Sequence, residues 1–383
     1  MIITSLKLKN WRNFRDAEIN LAQVSYIVGP NASGKSNLLD VFRFIRDICR
    51  ADGGGLQKAV KDRGGITRLR CLHHRRDTEV KIEVSMSEGG QSDAASWKYV
   101  LAFKTEGKGA QRIMISSEEV WKNGKRILNR PDKDDKKDAL LLTETHLEQT
   151  RANKEFRSIV TSFSEVTYLH LVPQLLKYAD HIGGNRLEND PFGQGFLERL
   201  ARTPKKTRDS RLKKIGDALS IAVPRFKGLR YIQNERGQPH LEAQYEHHRP
   251  NAGWQSEEHF SDGTLRLLGI LWSLLEGKGV LLLEEPELSL HNAVVEQIPL
   301  MIDRVQRRAK TRRRQVIIST HSEAILNNEG IDPKSVIILE PGREGSQIRT
   351  VSKAENKALE AGLTVSEVIL PKTRPANVQQ LGA

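Results

Sequence analysis

The sequence predicts an α/β protein: a mostly parallel sheet flanked by helices, with an antiparallel β lobe and a helical insertion. Three observations point there. After residue 260, wholly apolar runs alternate with amphipathic stretches, as a doubly covered parallel sheet requires. Between about 79 and 130, short runs rich in Val, Ile and aromatics are separated by Gly and charged turns, the pattern of an antiparallel meander. Near the start, "VSYIVG" runs directly into the glycine-rich "GPNASGKS" and then a helical pattern.

The elements follow in order. "IITSLKLKN" alternates and "VSYIVG" is apolar, so two strands lead into Gly29. A helix follows from Lys35 to about Arg50, with Leu38, Leu39, Phe42, Ile45 and Ile48 on one side. "EVKIEVSM", "WKYVLAF" and "RIMISSEEVW" supply the meander. Residues 129–138, "NRPDKDDKKD", read as a polar loop, and no apolar strand delivers the Asp-x-Asp within it to a metal pocket. From about 140 to 225 the chain reads as mostly helical, interrupted by "EVTYLHLVP" and by the turn "HIGGNRLENDPFGQG". "FKGLRYIQN" and "PHLEAQYE" flank a turn near Gly237. Helix 262–277, strand 279–285, helix 292–308, strand 315–320, helix 322–328 and strand 335–340 complete the alternation. There is no 20–50-residue repeat and no sustained heptad pattern.

Composition narrows the class. Of 383 residues, 38% are hydrophobic, 5% aromatic and 28% charged, a globular profile. The N-terminus lacks the apolar stretch and small-residue cleavage site of a signal peptide, and no run approaches a membrane span. Cys49 and Cys71 are too few for a disulfide framework, which points to reduced thiols in a cytoplasmic protein. The net charge of +13 favours an anionic partner, nucleic acid first. Two runs, Arg202 to Lys214 and Arg304 to Arg314, carry seven positive residues each; each is either a solvated face or a phosphate-binding surface.

"GPNASGKS" fits G-x-x-x-x-G-K-[ST] in the strand–turn–helix setting that a phosphate-binding loop needs. Gly29, Pro30, Asn31, Ala32, Ser33, Gly34, Lys35, Ser36 and Asn37 frame the site, where the glycines let backbone N–H groups converge on phosphate. The helix start adds partial positive charge. Lys35 reaches the β- and γ-phosphates of a nucleotide and Ser36 holds Mg2+. The apolar run "GVLLLEEPELSLH" then ends in two adjacent glutamates, which at a strand tip need a cation or a proton to move. Glu284 is placed for the metal, directly or through water, and Glu285 for polarising the attacking water. "SDGTLR" caps a helix through Ser261 or Asp262, and such a start can bind an anion. His321 follows the apolar "QVIIST", so it also ends beside the strand tips; a satisfied core histidine is the bland alternative.

The order of these motifs, "GPNASGKS", "FSDGTLR", "LLLEEPELSLH" and "IISTHSEAIL", resembles the ABC-type ATPase head, closest to the RecF/SMC/OLD-like ATPases often grouped with AAA-type proteins of bacterial defence and repair. The resemblance covers roughly 1–50 and 255–345. It implies that Phe260–Thr264 is the signature motif, with Ser261 and Gly263 contacting phosphate; that Leu288–His291 is the D-loop; and that His321 is the switch histidine at the γ-phosphate. It implies an N-terminal ATPase lobe (1–139), an insertion ending in a β-hairpin (140–255), a C-terminal ATPase lobe (256–353) and a tail (354–383). It also implies ATP and Mg2+ as cofactors and a homodimer closing over two ATPs, with Glu285, His321 and Lys35 as catalytic residues. Glu284 stands where Asp is usual, one methylene longer. No Q-loop glutamine is evident in "DRGGITRLRCLHHRR", about where one is expected.

Two outputs compete. One is a sensor or scaffold in anti-phage defence acting with a separately encoded effector, because only about 60 residues follow His321 and no nuclease motif is seen. The other is a RecF-like clamp on DNA, which the basic runs favour. A long-coiled-coil SMC role is disfavoured by the missing heptads, and a toxin or transport-associated regulator leaves the basic runs unexplained.

Overall fold

Alternation of burial along the strands decides the layers of this molecule. The computed structural model describes residues 1–73, 77–89, 95–107, 111–178, 190–248, 253–308 and 313–373. Strand β1 (Ile2–Trp11) turns back as β2 (Phe14–Asn20), and β3 (Val24–Val28) leaves for a different sheet. Strands β4 (Val80–Ser87), β5 (Trp97–Thr105), β6 (Ile113–Lys122) and β7 (Lys125–Arg130) rejoin the first pair as an antiparallel sheet, ordered β2-β1-β4-β5-β6-β7. After a helical stretch comes β8 (Thr167–Leu169), then a small antiparallel sheet of β9 (Phe226–Gln233), β10 (Pro239–Tyr245) and β11 (Trp254–Ser256). The chain closes with β12 (Leu281–Glu284), β13 (Val316–Thr320), β14 (Val336–Gly342) and β15 (Gly345–Thr350). The second large sheet is ordered β15-β14-β3-β13-β12-β8; all its pairings are parallel except β14 with β15.

Each parallel strand feeds two cores. Ile27, Leu282, Ile317 and Ile337 point into one, and Val28, Leu281, Leu283, Ile318 and Ile338 into the other. Burial on both faces is why these strands read as unbroken apolar runs. The first core also holds the inward side chains of the antiparallel sheet, among them Leu8, Val80, Ile82, Tyr99 and Phe103. Helix Lys35–Ile48 belongs to it and is buried at Leu38, Leu39, Phe42, Phe44, Ile45 and Ile48. The second core holds helix Asp262–Leu275, buried nearly all round, and Leu212, Ile215 and Leu219 of helix Lys205–Ala222.

Several local expectations change. Strands β2 and β7 were hidden because their exposed positions are charged or polar. The stretch 129–138 is not a loop: after β7 ends at Arg130, Asp132 caps a short helix, Lys133–Lys137, with a capping box to Asp135. The first aspartate of the Asp-x-Asp is thus the cap of this helix, accepting from the N–H groups of Asp134 and Asp135. Helix 292–308 is two pieces, Asn292–Val295 and Ile298–Arg308, because Pro299 has no N–H to bond to the Val295 carbonyl and its ring crowds that carbonyl, while it is tolerated in the first turn of the second piece. Strand β8 lies inside 140–255 yet completes the parallel sheet beside β12. Cys49 and Cys71 are buried and unpaired. Among the described residues no helix is long and apolar enough to cross a membrane.

Candidate functional site

Three adjacent strands, β3, β13 and β12, run parallel and end together, and the predicted chemistry hangs from their C-terminal ends. From β3 comes the glycine-rich loop. Ala32 has φ 62° and Gly34 φ 100°, and helix Lys35–Ile48 starts with no side-chain cap and no acidic residue in its first turn. Its first N–H groups are therefore left for an anion. Gly34 is required twice over: its φ is left-handed, and a Cβ there would lie 2.1 Å from Asn13 Nδ2. The hydroxyl of Ser33 is buried without a hydrogen-bond partner, an orphan at the heart of the loop.

Asn13, in the β1–β2 turn, buttresses this loop. Its Nδ2 donates to Ser33 O at 3.0 Å and to Ser346 Oγ at 2.6 Å, while its Oδ1 accepts from Asn37 Nδ2 at 2.9 Å. Lys35 is 7% exposed, and its ammonium donates to Gly29 O at 2.9 Å and Pro30 O at 3.1 Å. Burial lowers its pKa, against the raising effect of Glu285, Glu287 and Glu284.

From β12 come the glutamates. Glu284 takes one hydrogen bond on each oxygen, from Ser36 Oγ on Oε1 and from Tyr168 Oη on Oε2. His170 Nδ1 lies 3.3 Å from Glu284 O. Glu285 has φ 44° and its N–H donates to Ser319 O at 3.0 Å, so the chain turns sharply as it leaves the sheet. From β13 comes His321, with Nδ1 at 3.3 Å from Glu285 Oε1 and 3.9 Å from Glu287 Oε1. Glu287 Oε1 also accepts from Thr320 Oγ1 at 2.7 Å and from the His321 N–H at 3.3 Å. Burial raises the Glu287 pKa, and those hydrogen bonds oppose the rise. His321 is thus held in the site rather than in the core, its side chain 47% exposed.

Lys35, Ser36, Glu284, Glu285 and His321 therefore stand together, whereas the contacts of Ser261 and Gly263 run elsewhere. Ser261 Oγ caps helix Asp262–Leu275 by accepting from Thr264 N at 3.1 Å. A Cβ on Gly263 would meet Ser289 O at 2.7 Å, so the helix start packs directly on the Leu288–His291 turn. Asp262 accepts from Lys177 Nζ and Gln174 Nε2, both at 2.7 Å. In segment 62–76, Arg63 binds Asp40 and Asp47 on the loop's helix, and residues 74–76 lie outside the described residues. The segment beside Glu284 is Tyr168–His170, which continues to Gln174.

The donor set suits a hard cation. Ser36 and Glu284 offer oxygens at the mouth of the loop, and among the described residues no group of three His, Cys, Asp or Glu forms a metal cage. Mg2+ takes most of its ligands from phosphates and water, so a site of this kind fits it. The basic runs separate. Arg314 is buried and donates to the carbonyls of Ser273, Glu276 and Gly279, closing the end of the Asp262–Leu275 helix, and Arg307 pairs with Asp303. Residues 309–312 of that run lie outside the described residues. In the other run, Lys205, Lys206, Lys213 and Lys214 are exposed.

Asn13, Tyr168, His170, Thr320 and Glu287 were not expected at the site. "EVTYLHLVP" stood out only as an interruption of a mostly helical stretch, and Glu287 sits in the glutamate run itself; Asn13 carried no local signal.

A family model described as "AAA domain, putative AbiEii toxin, Type IV TA system" matches residues 24–327. Among curated proteins, the chain is 51% identical over 41 residues to the DNA replication and repair protein RecF of Chlamydia abortus, covering 10% of this chain and 11% of that one. It is 31% identical over 96 residues to RecF of Bacillus mycoides, 24% of each chain. The aligned part is thus a tenth to a quarter of these relatives' length. Among solved structures, an Smc head bound to the C-terminal winged-helix domain of ScpA superposes with a TM-score of 0.54 at 15% identity, covering 93% of this chain and 100% of that one. The Pyrococcus furiosus Smc head with an extended coiled coil, bound to the C-terminal domain of ScpA, gives 0.52 at 14% identity, covering 94% and 99%. The fold is that of an SMC-type head.

Proposed function

From the premise that the chain belongs to this AAA-domain family of RecF/SMC-like P-loop ATPases, we propose that it is a Mg2+- and ATP-dependent dimerising ATPase, a switch or scaffold in anti-phage defence that works with a separately encoded effector. One observation carries the ATPase: Lys35, Ser36, Glu284, Glu285 and His321 converge at the ends of three neighbouring strands. Lys35 and the helix start hold the β- and γ-phosphates. Bound Mg2+ neutralises charge on the phosphates. Glu285 orients the attacking water and takes its proton as the bond from the γ-phosphorus to the bridging oxygen breaks, giving ADP and phosphate. His321 holds Glu285 and senses the γ-phosphate side. Ser261 and Gly263, engaged with Thr264 and Ser289 in their own head, act on the ATP of a second copy. The toxin–antitoxin wording of the family description supports the defence setting.

A RecF-like clamp on DNA is the second reading, and the charge distribution favours it. On the antiparallel sheet Lys7, Lys9 and Lys98 are neutralised by Glu18, Asp77 and Glu83 at 2.9, 2.5 and 2.9 Å. The exposed lysines of helix Lys205–Ala222 have no such partners among the described residues. Steady-state ATP turnover with and without duplex DNA, with Glu285→Gln as the blank, tests both. A low rate indifferent to DNA and absent in the variant supports the switch; a DNA-dependent rise that weakens steeply with salt supports the clamp. Equal turnover by the variant and the wild type overturns the assignment of Glu285 as the base.

A further inference from the structure

Resting on the ATPase reading, we propose that Tyr168 is a positioning residue for the metal: it holds Oε2 of Glu284, so that this carboxylate is presented to Ser36 and to bound Mg2+ in one fixed orientation.

A glutamate at this strand tip has one more rotatable bond than an aspartate, and ordering it costs more conformational entropy. It reaches farther and needs a second anchor to present one oxygen. The fold supplies that anchor from the sheet edge. Strand β8 pairs with β12 so that Tyr168 is opposite Leu282, two residues before Glu284. Tyr168 is 7% exposed and its phenol donates to Oε2, while Ser36 donates to Oε1. A hydroxyl can donate to a carboxylate and still offer its lone pairs to a cation. Each glutamate oxygen accepts one hydrogen bond, which fixes the carboxylate's orientation and leaves its remaining lone pairs beside Ser36 for the metal.

The tyrosine is itself held. The Arg43 guanidinium, from the phosphate loop's own helix, lies 4.3 Å from the centre of its ring, and Arg43 reaches Asp40 at 3.8 Å. Tyr168 therefore bridges the helix that binds phosphate and the carboxylate that serves the metal. Partners of this outer kind typically contribute about 10–100-fold to metal affinity.

The test is Mn2+ binding, followed by the loss of its free electron paramagnetic resonance signal, in the presence of a non-hydrolysable ATP analogue. Nucleotide affinity is measured separately in EDTA with a fluorescent analogue. Tyr168→Phe should weaken Mn2+ about tenfold or more and leave the metal-free nucleotide affinity unchanged. In a Glu284→Asp background, where the shorter side chain no longer spans both hydroxyls, the same substitution should add nothing. Mn2+ affinity within twofold of wild type overturns the proposal. So does an equal loss of metal-free nucleotide affinity, which makes Tyr168 a packing residue, and so does an additive loss in the Glu284→Asp background. A wild-type chain with no nucleotide-dependent Mn2+ site overturns the ATPase reading and this inference with it; a wild-type site that Tyr168→Phe leaves intact overturns this inference alone.

Discussion

His321 and Glu285 face each other across two adjacent strand ends, Nδ1 to Oε1 at 3.3 Å. A histidine there fixes the direction of a carboxylate whose backbone has already turned out of the sheet at φ 44°. Glu285→Gln keeps the size of the side chain and removes its capacity to take a proton. Turnover should fall about 10²–10⁴-fold while ATP still binds. Size-exclusion chromatography with light scattering should then show the variant collecting as a dimer in ATP and as a monomer in ADP. A dimer indifferent to nucleotide would show that closure does not depend on ATP.

Lys35 is buried against two carbonyls, and burial lowers its pKa. Its counter-charge is to be the nucleotide. In Lys35→Ala the rise in thermal midpoint produced by saturating ATP should vanish. In the wild type, ATP at a hundred times its Kd should stabilise the fold by about 2.7 kcal/mol. Differential scanning fluorimetry across an ATP titration checks this directly.

Asn13 makes three side-chain hydrogen bonds to the phosphate loop, its helix and β15. Asn13→Ala leaves Ser33 O and Ser346 Oγ without them, and should lower stability by about 1–3 kcal/mol in urea unfolding. The loop loses its backing at the same time, so nucleotide affinity should fall although Asn13 needs no contact with nucleotide. Unchanged affinity in a destabilised variant would limit Asn13 to a structural role.

Helix Val365–Thr373 is pinned through Glu355, which receives Lys372 Nζ at 2.7 Å, Arg349 at 2.8 and 3.1 Å, and the Ser352 N–H at 2.8 Å. Burial alone would raise this carboxyl's pKa, but the bonds from Arg349, Lys372 and Ser352 outweigh it and hold it at about 2, against 4.5 for a free glutamate. Their stabilisation is complete above about pH 4.5 and is lost as the pH falls through about 2. Thermal midpoints measured from pH 6 to pH 2 should therefore show Glu355→Gln less stable than wild type at the top of the range, with the two converging at the bottom. A gap that stays constant with pH would mean the carboxylate's charge does not matter.

What the sequence disclosed and what it hid have a common physical basis. The glycine-rich loop, Glu284, Glu285 and His321 were legible because each interrupts an apolar strand where a charge has no reason to be unless something answers it. Helix Lys35–Ile48 and strand β13 were legible because buried elements leave dense apolar patterns. Tyr168 and Asn13 were not, because their meaning lies in partners 116 residues away for Tyr168 and up to 333 away for Asn13. No local pattern encodes such a contact. Strands β2 and β7 escaped for the opposite reason, their solvent-facing residues being as polar as a loop. Arg314 shows the hazard in reading charge by itself: within a basic run it serves backbone carbonyls rather than phosphate.

Strand β3 has a consequence for how the protein comes into being. Its hydrogen-bonding neighbours are β13, paired through Val316–Thr320, and β14, paired through Val336–Ile338, both made roughly 290–310 residues later. At about 5–20 residues per second, the nascent phosphate loop waits roughly 15–60 s for the strands that hold it in place. Throughout that interval the apolar "SYIV" has no sheet to enter and ATP has no finished cradle to stabilise. The order of synthesis thus sets the order of assembly: the loop that opens the chain's first helix is held by its neighbouring strands only after nearly all of the sequence through Ile338 has been made.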